Sequence, residues 1–202
     1  MLPYLKKCIE AGTDEVGRGC LAGSVVSAAV ILPMDFDNPL IMDSKKLNEK
    51  KLKIAYDIIC KEAIAIGIGI NSPERIDEIN ILRASIESMH FALDGLTHQE
   101  HFEHIIVDGN QFTQYKTIPH TCVIKGDATY YSIAAASIVA KYTRDKIMAD
   151  LDKEFPGYDW ASNVGYATKK HREAIKKLGP NKWHRKTFIG NVLMEMNTGK
   201  LF

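Results

Sequence analysis

The strongest constraint on the fold is an apolar stretch at residues 22–32, which is rich in valine and alanine. Its odd and even positions are both apolar. Because successive side chains of a strand point to opposite faces, both faces of such a strand must be covered. Residues 11–16 form a second strand-like run, and Gly17-Arg18-Gly19 lies between the two. We therefore predict two neighbouring strands joined by a turn, the second in the sheet interior and ended by Pro33.

The rest of the chain predicts helices that alternate with further strands. Four longer helices are expected, over residues 48–62, 80–94, 129–151 and 168–178. Three more strands are expected, over residues 63–70, 105–107 and 121–124. Asn48 or Ser44 is expected to cap the first helix, and residues 158–164 are expected to form a loop. This order of elements is typical of an α/β protein with a mixed sheet.

Charge is distributed unevenly along the chain. Residues 165–186 contain eight Lys or Arg and one acidic residue, Glu173, so this stretch carries +7 whereas the whole chain carries +1. A basic segment beside an acidic remainder suits a nucleic-acid enzyme with a carboxylate–metal centre. The alternative is a helix face that is merely solvated.

The compartment can also be inferred from composition. No apolar run approaches the roughly 20 residues that span a bilayer. The first ten residues lack the apolar region of a secretory signal. The four cysteines lack metal-ligand spacing, which argues against a zinc site. We therefore expect a cytoplasmic protein with no membrane partner.

Four carboxylates stand at the ends of predicted strands, namely Asp14, Glu15, Asp108 and Asp127. Ligands of open α/β sheets collect at strand ends, and carboxylate oxygens are hard ligands suited to Mg²⁺ or Mn²⁺. Several such carboxylates without His or Cys indicate phosphodiester hydrolysis assisted by two metal ions. Each residue has a structural alternative: Asp108 precedes Gly109 and could be a turn residue, and Asp127 could be the N-cap of the long helix.

The turn Gly17-Arg18-Gly19 places a permanent cation beside two of these anions. Glycine allows a sharp turn and a close approach of the backbone to a ligand. Such a turn suits a phosphate held by metal ions. The alternative is a polar turn that only closes a hairpin, since a Gly-x-Gly sequence is a weak signal on its own.

The combination of motifs closely resembles the bacterial ribonuclease HII family. The resemblance spans nearly the whole chain. It rests on residues 14–19 with 21–23, 43–47, 77–82, 108–110, 125–127, 132–138 with 140–141, 165–168 and 184–185.

By that resemblance the fold is ribonuclease H-like, with a mixed five-stranded sheet flanked by helices. A catalytic domain is expected at residues 1–156 and a basic helical extension, packed on it and binding substrate, at residues 157–202. The implied activity is endonucleolytic hydrolysis of the RNA strand of RNA–DNA hybrids, by a monomer. The implied substrates include duplex DNA containing ribonucleotides, cut 5′ to a single embedded ribonucleotide to leave 3′-hydroxyl and 5′-phosphate ends.

The same resemblance makes the four carboxylates catalytic ligands of Mn²⁺ or Mg²⁺, with two ions per site during catalysis. Gly17, Arg18 and Gly19 would contact the ribose 2′-hydroxyl, the group that distinguishes RNA from DNA, and the nearby phosphate. Tyr166 would stack on the sugar that follows the ribonucleotide. The other implied substrate-binding residues are Ser44, Lys45, Lys46, Thr168, Lys169 and Arg185.

Two positions depart from the family pattern. Cys20 stands where proline usually follows Gly-Arg-Gly, and Ala128 stands where serine usually follows Lys-Gly-Asp. Neither change removes a proposed ligand, although Cys20 is expected to loosen the turn. Asp145 is a structural residue or a secondary candidate for the site. The competing functions are a DNA nuclease of the same fold, such as a junction resolvase, and a non-catalytic nucleic-acid binder.

Overall fold

The computed structural model describes residues 1–97 and 101–198 and contains a five-stranded mixed sheet. The strands lie in the order β3-β2-β1-β4-β5. The pairs β1–β2 and β2–β3 are antiparallel, whereas β1–β4 and β4–β5 are parallel. The strands are β1 (Glu10–Val16), β2 (Val25–Ile31), β3 (Ala65–Asn71), β4 (His104–Asp108) and β5 (His120–Val123). The predicted sheet is confirmed, and β2 is buried along its whole length.

Seven α-helices lie in the described part of the chain. They are α1 (Glu49–Glu62), α2 (Pro73–Ile79), α3 (Ile81–Asp94), α4 (Tyr131–Glu154), α5 (Trp160–Asn163), α6 (Lys169–Leu178) and α7 (Gly190–Thr198). Asn48 caps α1 by accepting from the Lys51 N–H, whereas Ser44 lies in a separate short 3₁₀ helix. None of these helices is long and apolar enough to cross a membrane.

Helices cover both faces of the sheet and bury two apolar layers. One layer joins β2 to α1 and α4, and the other joins β2, β3 and β4 to α3. Glycine permits the closest contacts. A Cβ atom at Gly12 of β1 would collide with the backbone of α4, and one at Gly67 of β3 would collide with the backbone of α3. These contacts hold α4 directly against β1, which carries two of the candidate carboxylates.

Residues 157–198 pack on the sheet-bearing part through a third apolar cluster. Trp160, Ile175 and Ile189 of this segment are buried against Leu21 and Met148. The prediction that residues 158–164 form only a loop is wrong, because Trp160–Asn163 form the short helix α5. The buried indole of Trp160 anchors that turn, a tertiary effect that the local sequence does not encode.

Candidate active site

The parallel pairing of β1 and β4 brings three carboxylates to one edge of the sheet. Thr13 of β1 is in register with Val107 of β4, so the next residues, Asp14 and Asp108, lie side by side where this pairing ends. Glu15 follows Asp14 on β1. Asp127 reaches the same edge from a short 3₁₀ helix, Gly126–Ala128, that follows β5. The sheet topology therefore gathers all four predicted residues.

Neither structural alternative for these carboxylates describes the geometry. The N-cap of α4 is Tyr130, so Asp127 does not cap that helix. Asp108 is not confined to a local turn, since its Oδ1 accepts a hydrogen bond of 2.7 Å from the N–H of Gly126, 18 residues later. This bond ties the end of β4 to the segment that carries Asp127.

The charges of the cluster repel one another. Burial raises the pKa of Asp14 well above its ordinary value, and the charges of Glu15 and Asp108 raise it further. Burial also raises the pKa of Glu15, although Arg18 opposes this effect. The pKa of Asp127 is raised by burial first and by Asp108 second. Buried and uncompensated negative charge of this kind favours a cation.

The cluster's own oxygens are partly engaged by protein donors. Arg18 Nη1 lies 3.0 Å from Glu15 Oε1, and Lys45 Nζ lies 3.9 Å from Asp127 Oδ2. Asp14 Oδ1 accepts from the Glu15 N–H at 2.7 Å. Within residues 1–97 and 101–198, no three Asp, Glu, His or Cys side chains are arranged to hold one ion as they stand. The carboxylate oxygens of the cluster are hard donors of the kind that Mg²⁺ and Mn²⁺ prefer.

A cleft of about 450 Å³ opens beside the cluster. Asp14, Glu15, Asp108, Lys45 and Tyr166 line it. Because Glu15 and Asp108 also line a second cavity of about 170 Å³ beside Arg18 and Asn110, these two carboxylates stand on a ridge between two spaces.

Two residues of α4 in the cleft were missed as site residues in the sequence. The hydroxyl of Ser137 hydrogen-bonds to Asp14, which partly offsets the rise in the pKa of that carboxyl, and it lies 2.9 Å from the buried Ser44 hydroxyl. Lys141 also lines the cleft. Ser137 and Lys141 are four residues apart, on one face of a helix otherwise rich in alanine and isoleucine. These two polar residues in a mostly apolar part of the helix were the signal in the sequence that could have identified them as site residues.

The remaining predicted residues differ in their distance from the cleft. Tyr166 is 45% exposed and lines it. Thr168 caps α6, and Lys169 is exposed 3.9 Å from Glu173. Lys46 is exposed beside Lys45. Basic side chains thus continue away from the carboxylates on the exposed surface.

Arg185 requires a correction as a direct substrate contact. Its side chain is completely buried, and its guanidinium donates to the carbonyl oxygens of Gly17, Arg18 and Gly23. It therefore supports the Gly-Arg-Gly turn from below. The sequence did not predict this burial, because a basic residue in a basic segment is normally expected at the surface. Only the docking of the segment buries it.

The structure also shows the surroundings of Cys20, Ala128 and Asp145, whose roles the sequence left open. Cys20 is buried, and its N–H lies 3.5 Å from the Gly17 carbonyl oxygen across the turn. Ala128 is exposed in the 3₁₀ helix. Asp145 pairs with Lys141 at 2.8 Å and lines a neighbouring groove of about 500 Å³, away from the four carboxylates. These contacts favour a structural role for Asp145.

A buried histidine pair lies behind Tyr166. His171 Nδ1 is 2.8 Å from the Tyr166 carbonyl oxygen, and its Nε2 accepts from Trp160 Nε1 at 3.0 Å. His184 Nε2 lies 3.3 Å from the same His171 nitrogen. Burial lowers the pKa of His171, and burial together with the charge of His171 lowers the pKa of His184 to about 4. Both rings are therefore neutral near pH 7, and His171 holds the Tyr166 backbone.

Comparisons with known proteins show what the chain is similar to. The family model described as Ribonuclease HII matches residues 11–190. The chain is 56% identical over 200 residues to Ribonuclease HII of Bacteroides thetaiotaomicron, covering 98% of this chain and 99% of the relative. It is 52% identical over 183 residues to Ribonuclease HII of Porphyromonas gingivalis, covering 91% and 90%.

Solved structures resemble the fold over most of its length. The ribonuclease H2 of Pyrococcus horikoshii aligns with a TM-score of 0.75 and 22% identity, covering 93% of this chain and 98% of that one. The RNase HII chain in a PCNA:RNase HII complex from Archaeoglobus fulgidus gives 0.72 and 25%, covering 88% and 94%. Bst-RNase HIII in complex with Mn²⁺ gives 0.72 and 19%, covering 98% and 72%.

Proposed function

Because the chain belongs to the ribonuclease HII family, we propose that Asp14, Glu15, Asp108 and Asp127 are its catalytic and metal-binding residues. Its activity is that of the family: it is an endonuclease of the ribonuclease H class that acts on RNA–DNA hybrids. The observation that carries the residue assignment is the meeting of these four carboxylates at one sheet edge, where burial and the charges of Glu15 and Asp108 raise the pKa of Asp14.

Divalent metal ions serve this activity, and the related Bst-RNase HIII has been solved with Mn²⁺. For this chain we propose Mn²⁺ or Mg²⁺, with two ions per site during catalysis. When bound, such ions supply an activated water and stabilise the leaving oxygen. Asp14, Asp108 and Asp127 would hold them through their carboxylate oxygens. Glu15 would join after releasing the Arg18 guanidinium, which is half-exposed and free to turn toward a phosphate.

The chain's other residues bind and orient the substrate. Lys45 is exposed beside Asp127 and offers a mobile cation to a phosphate near the reacting centre. Tyr166 presents its ring to the cleft, where it can stack on a sugar. Gly19 is exposed in the Gly-Arg-Gly turn, so the backbone there can approach the ribose 2′-hydroxyl. Ser44 acts indirectly, because its buried hydroxyl contacts Ser137, which in turn contacts Asp14.

The proposed range of substrates includes duplex DNA with a single embedded ribonucleotide, cut on its 5′ side to leave 3′-hydroxyl and 5′-phosphate ends. Residues 1–156 would form the catalytic domain and residues 157–202 the basic substrate-binding extension. Exposed Lys169 and its basic neighbours support that division, since duplex binding draws on cations along the phosphate backbone. We propose that the enzyme works as a monomer in the cytoplasm.

The proposal is tested with a DNA duplex that contains one embedded ribonucleotide, in the presence of Mg²⁺ or Mn²⁺, and with an all-DNA junction for comparison. Cleavage 5′ to the ribonucleotide, lost in Asp108→Asn, supports it. The matched control is Asp57→Asn, which changes an exposed carboxylate of α1 that pairs with Lys53. Cleavage of an all-DNA junction would indicate a DNA nuclease instead. Binding without cleavage by the wild-type protein would indicate a non-catalytic binder.

A further inference from the structure

Two buried arginines lie beneath the Gly-Arg-Gly turn. Arg144 of α4 is 1% exposed and Arg185 is 0% exposed. Arg144 donates three hydrogen bonds, to the carbonyl oxygens of Ser24, Val164 and Ala22. Arg185 donates four, of 2.7–3.0 Å, to those of Gly17, Arg18 and Gly23. Every one of these bonds ends on a main-chain carbonyl.

Buried guanidinium groups are usually paired with carboxylates, since an uncompensated buried charge is costly. Among the described residues, neither of these two forms an ion pair within 4.0 Å. Burial lowers the pKa of Arg185 to about 10, which still leaves it a cation at neutral pH. The fold therefore retains two buried positive charges at this place, and main-chain carbonyl dipoles accept all of the hydrogen bonds described above.

The carbonyl directions fix the amide directions of the turn. The peptide bonds of the described residues are all trans, and in a trans peptide the C=O of one residue points opposite to the N–H of the next. The Gly17 and Arg18 carbonyls point down at Arg185. The N–H groups of Arg18 and Gly19 must therefore point outward.

Those two amides are free to meet a ligand. Arg18 and Gly19 are exposed, and within residues 1–97 and 101–198 neither N–H donates to a protein acceptor. A Cβ atom at Gly19 would meet no atom within 4 Å, so the space above the turn is open. Consecutive outward N–H groups above buried positive charge form a site for an oxygen that carries negative charge or lone pairs.

We propose that Arg144 and Arg185 are positioning residues for substrate recognition. Arg185 orients the Arg18 and Gly19 N–H groups toward the substrate, and both arginines back these groups with positive charge. The proposal rests on the proposed function, in which this turn approaches the ribose and its phosphate. Arg144 adds a second link, because its bond of 2.7 Å to the Val164 carbonyl fixes the segment just before Tyr166. The two arginines thus couple the turn to the stacking residue.

The first test compares variants for RNA recognition without chemistry. Arg185→Lys and Arg144→Lys keep a positive charge but lose the forked geometry that bonds several carbonyls. With a chelator present, affinity is measured for an RNA–DNA hybrid and for an all-DNA duplex of the same sequence. We expect the preference for the hybrid to fall by at least about fivefold, the factor given by one net hydrogen bond of about 1 kcal/mol.

A stability-matched control separates this role from general destabilisation. Ile175→Ala removes buried apolar contacts in the same C-terminal cluster, away from the turn. It should lower the melting temperature and leave the hybrid preference of the folded protein unchanged. If both lysine variants melt early but keep the wild-type preference, the arginines are only structural and the proposal is overturned.

A second measurement uses the wild-type protein and needs no variant. ¹⁵N-amide spectra, recorded with chelator, follow the Arg18 and Gly19 signals during titration with the hybrid and, separately, with inorganic phosphate. Both signals should shift with either titrant. If they stay fixed while other amides respond, the outward donors are not a binding site and the proposal fails. A wild-type protein without hybrid preference would overturn the proposed substrate instead, and the phosphate titration would still decide the role of the amides.

Discussion

Asp14→Asn should stabilise the metal-free protein while destroying its activity. Asp14 is 7% exposed, and burial and the charges of Glu15 and Asp108 raise its pKa. Its Oδ1 accepts from the Glu15 N–H, a bond that an asparagine oxygen can keep. The substitution therefore removes a costly charge while keeping an acceptor for the Glu15 N–H. Relief of a buried charge of about 1–3 kcal/mol would raise the melting temperature by about 2–12 °C in a protein of this size.

The sign of the pH dependence follows from the raised pKa. A carboxyl that is harder to ionise in the folded state favours folding when it is protonated, at pH values below its unfolded pKa. That contribution is lost as the pH rises through the folded pKa, when the buried group must ionise. With a chelator, the wild type should lose stability relative to Asp14→Asn as the pH rises from acid to neutral, and the two melting curves should converge in acid.

The assay is thermal unfolding of both proteins across this pH range, with chelator and then with Mn²⁺ or Mg²⁺. Added metal should make the wild type more stable than Asp14→Asn, because a ligand at 100 times its dissociation constant stabilises the folded protein that binds it by about 2.7 kcal/mol. Cleavage of a hybrid should fall by orders of magnitude in the variant. If chelated wild type is more stable than Asp14→Asn at neutral pH and metal raises both melting temperatures equally, the carboxylates are not a crowded metal site.

Three further predictions concern the C-terminal part of the chain. Changing Lys169, Lys170 and Arg172 to glutamine should weaken hybrid and DNA binding equally. The slope of log affinity against log salt concentration should shrink by up to about 0.9 per lost phosphate contact, and an unchanged slope would show that these residues are only a solvated surface. Tyr166→Ala should reduce cleavage at a single ribonucleotide by the equivalent of about 1–3 kcal/mol, whereas Tyr166→Phe should remain largely active. If Tyr166→Ala cuts single-ribonucleotide and continuous-RNA substrates in the wild-type ratio, Tyr166 has only a structural role. His184 has a pKa lowered to about 4, so the stability it permits is complete above its unfolded pKa and is lost as the pH falls from about 6.5 toward 4. Urea titrations should show less acid sensitivity in His184→Gln, and equal sensitivity would refute the neutral, buried state.

Local sequence chemistry predicted the framework well. The apolar pattern of β2 and the cap at Asn48 depend on neighbouring residues, so they can be predicted without knowledge of the fold. The sequence also led us to expect carboxylates gathered at strand ends, because ligands of open α/β sheets collect there, although it did not show that β1 and β4 are parallel neighbours.

Side-chain direction was not predictable in the same way. Arg185 was expected at the surface and is fully buried, because its environment is created by residues more than 160 positions earlier. His171 and Trp160 likewise become partners only when α5 and α6 dock together. The basic surface could thus be predicted from the charges in the sequence, but the polar network beneath it could not.

The link between Arg185 and the turn has a consequence for synthesis of the chain. Arg185 lies 168 residues after Gly17, whose carbonyl it holds. At about 5–20 residues per second, the ribosome makes the turn roughly 8–34 s before it makes the arginine. During that interval the proposed metal ligand Asp14 and the turn are already synthesised, but the turn lacks its lower support. Under the proposed function, a nascent chain therefore has its four carboxylates before it has the arginine that holds the RNA-contacting turn, and competence arrives with the docking of its last segments.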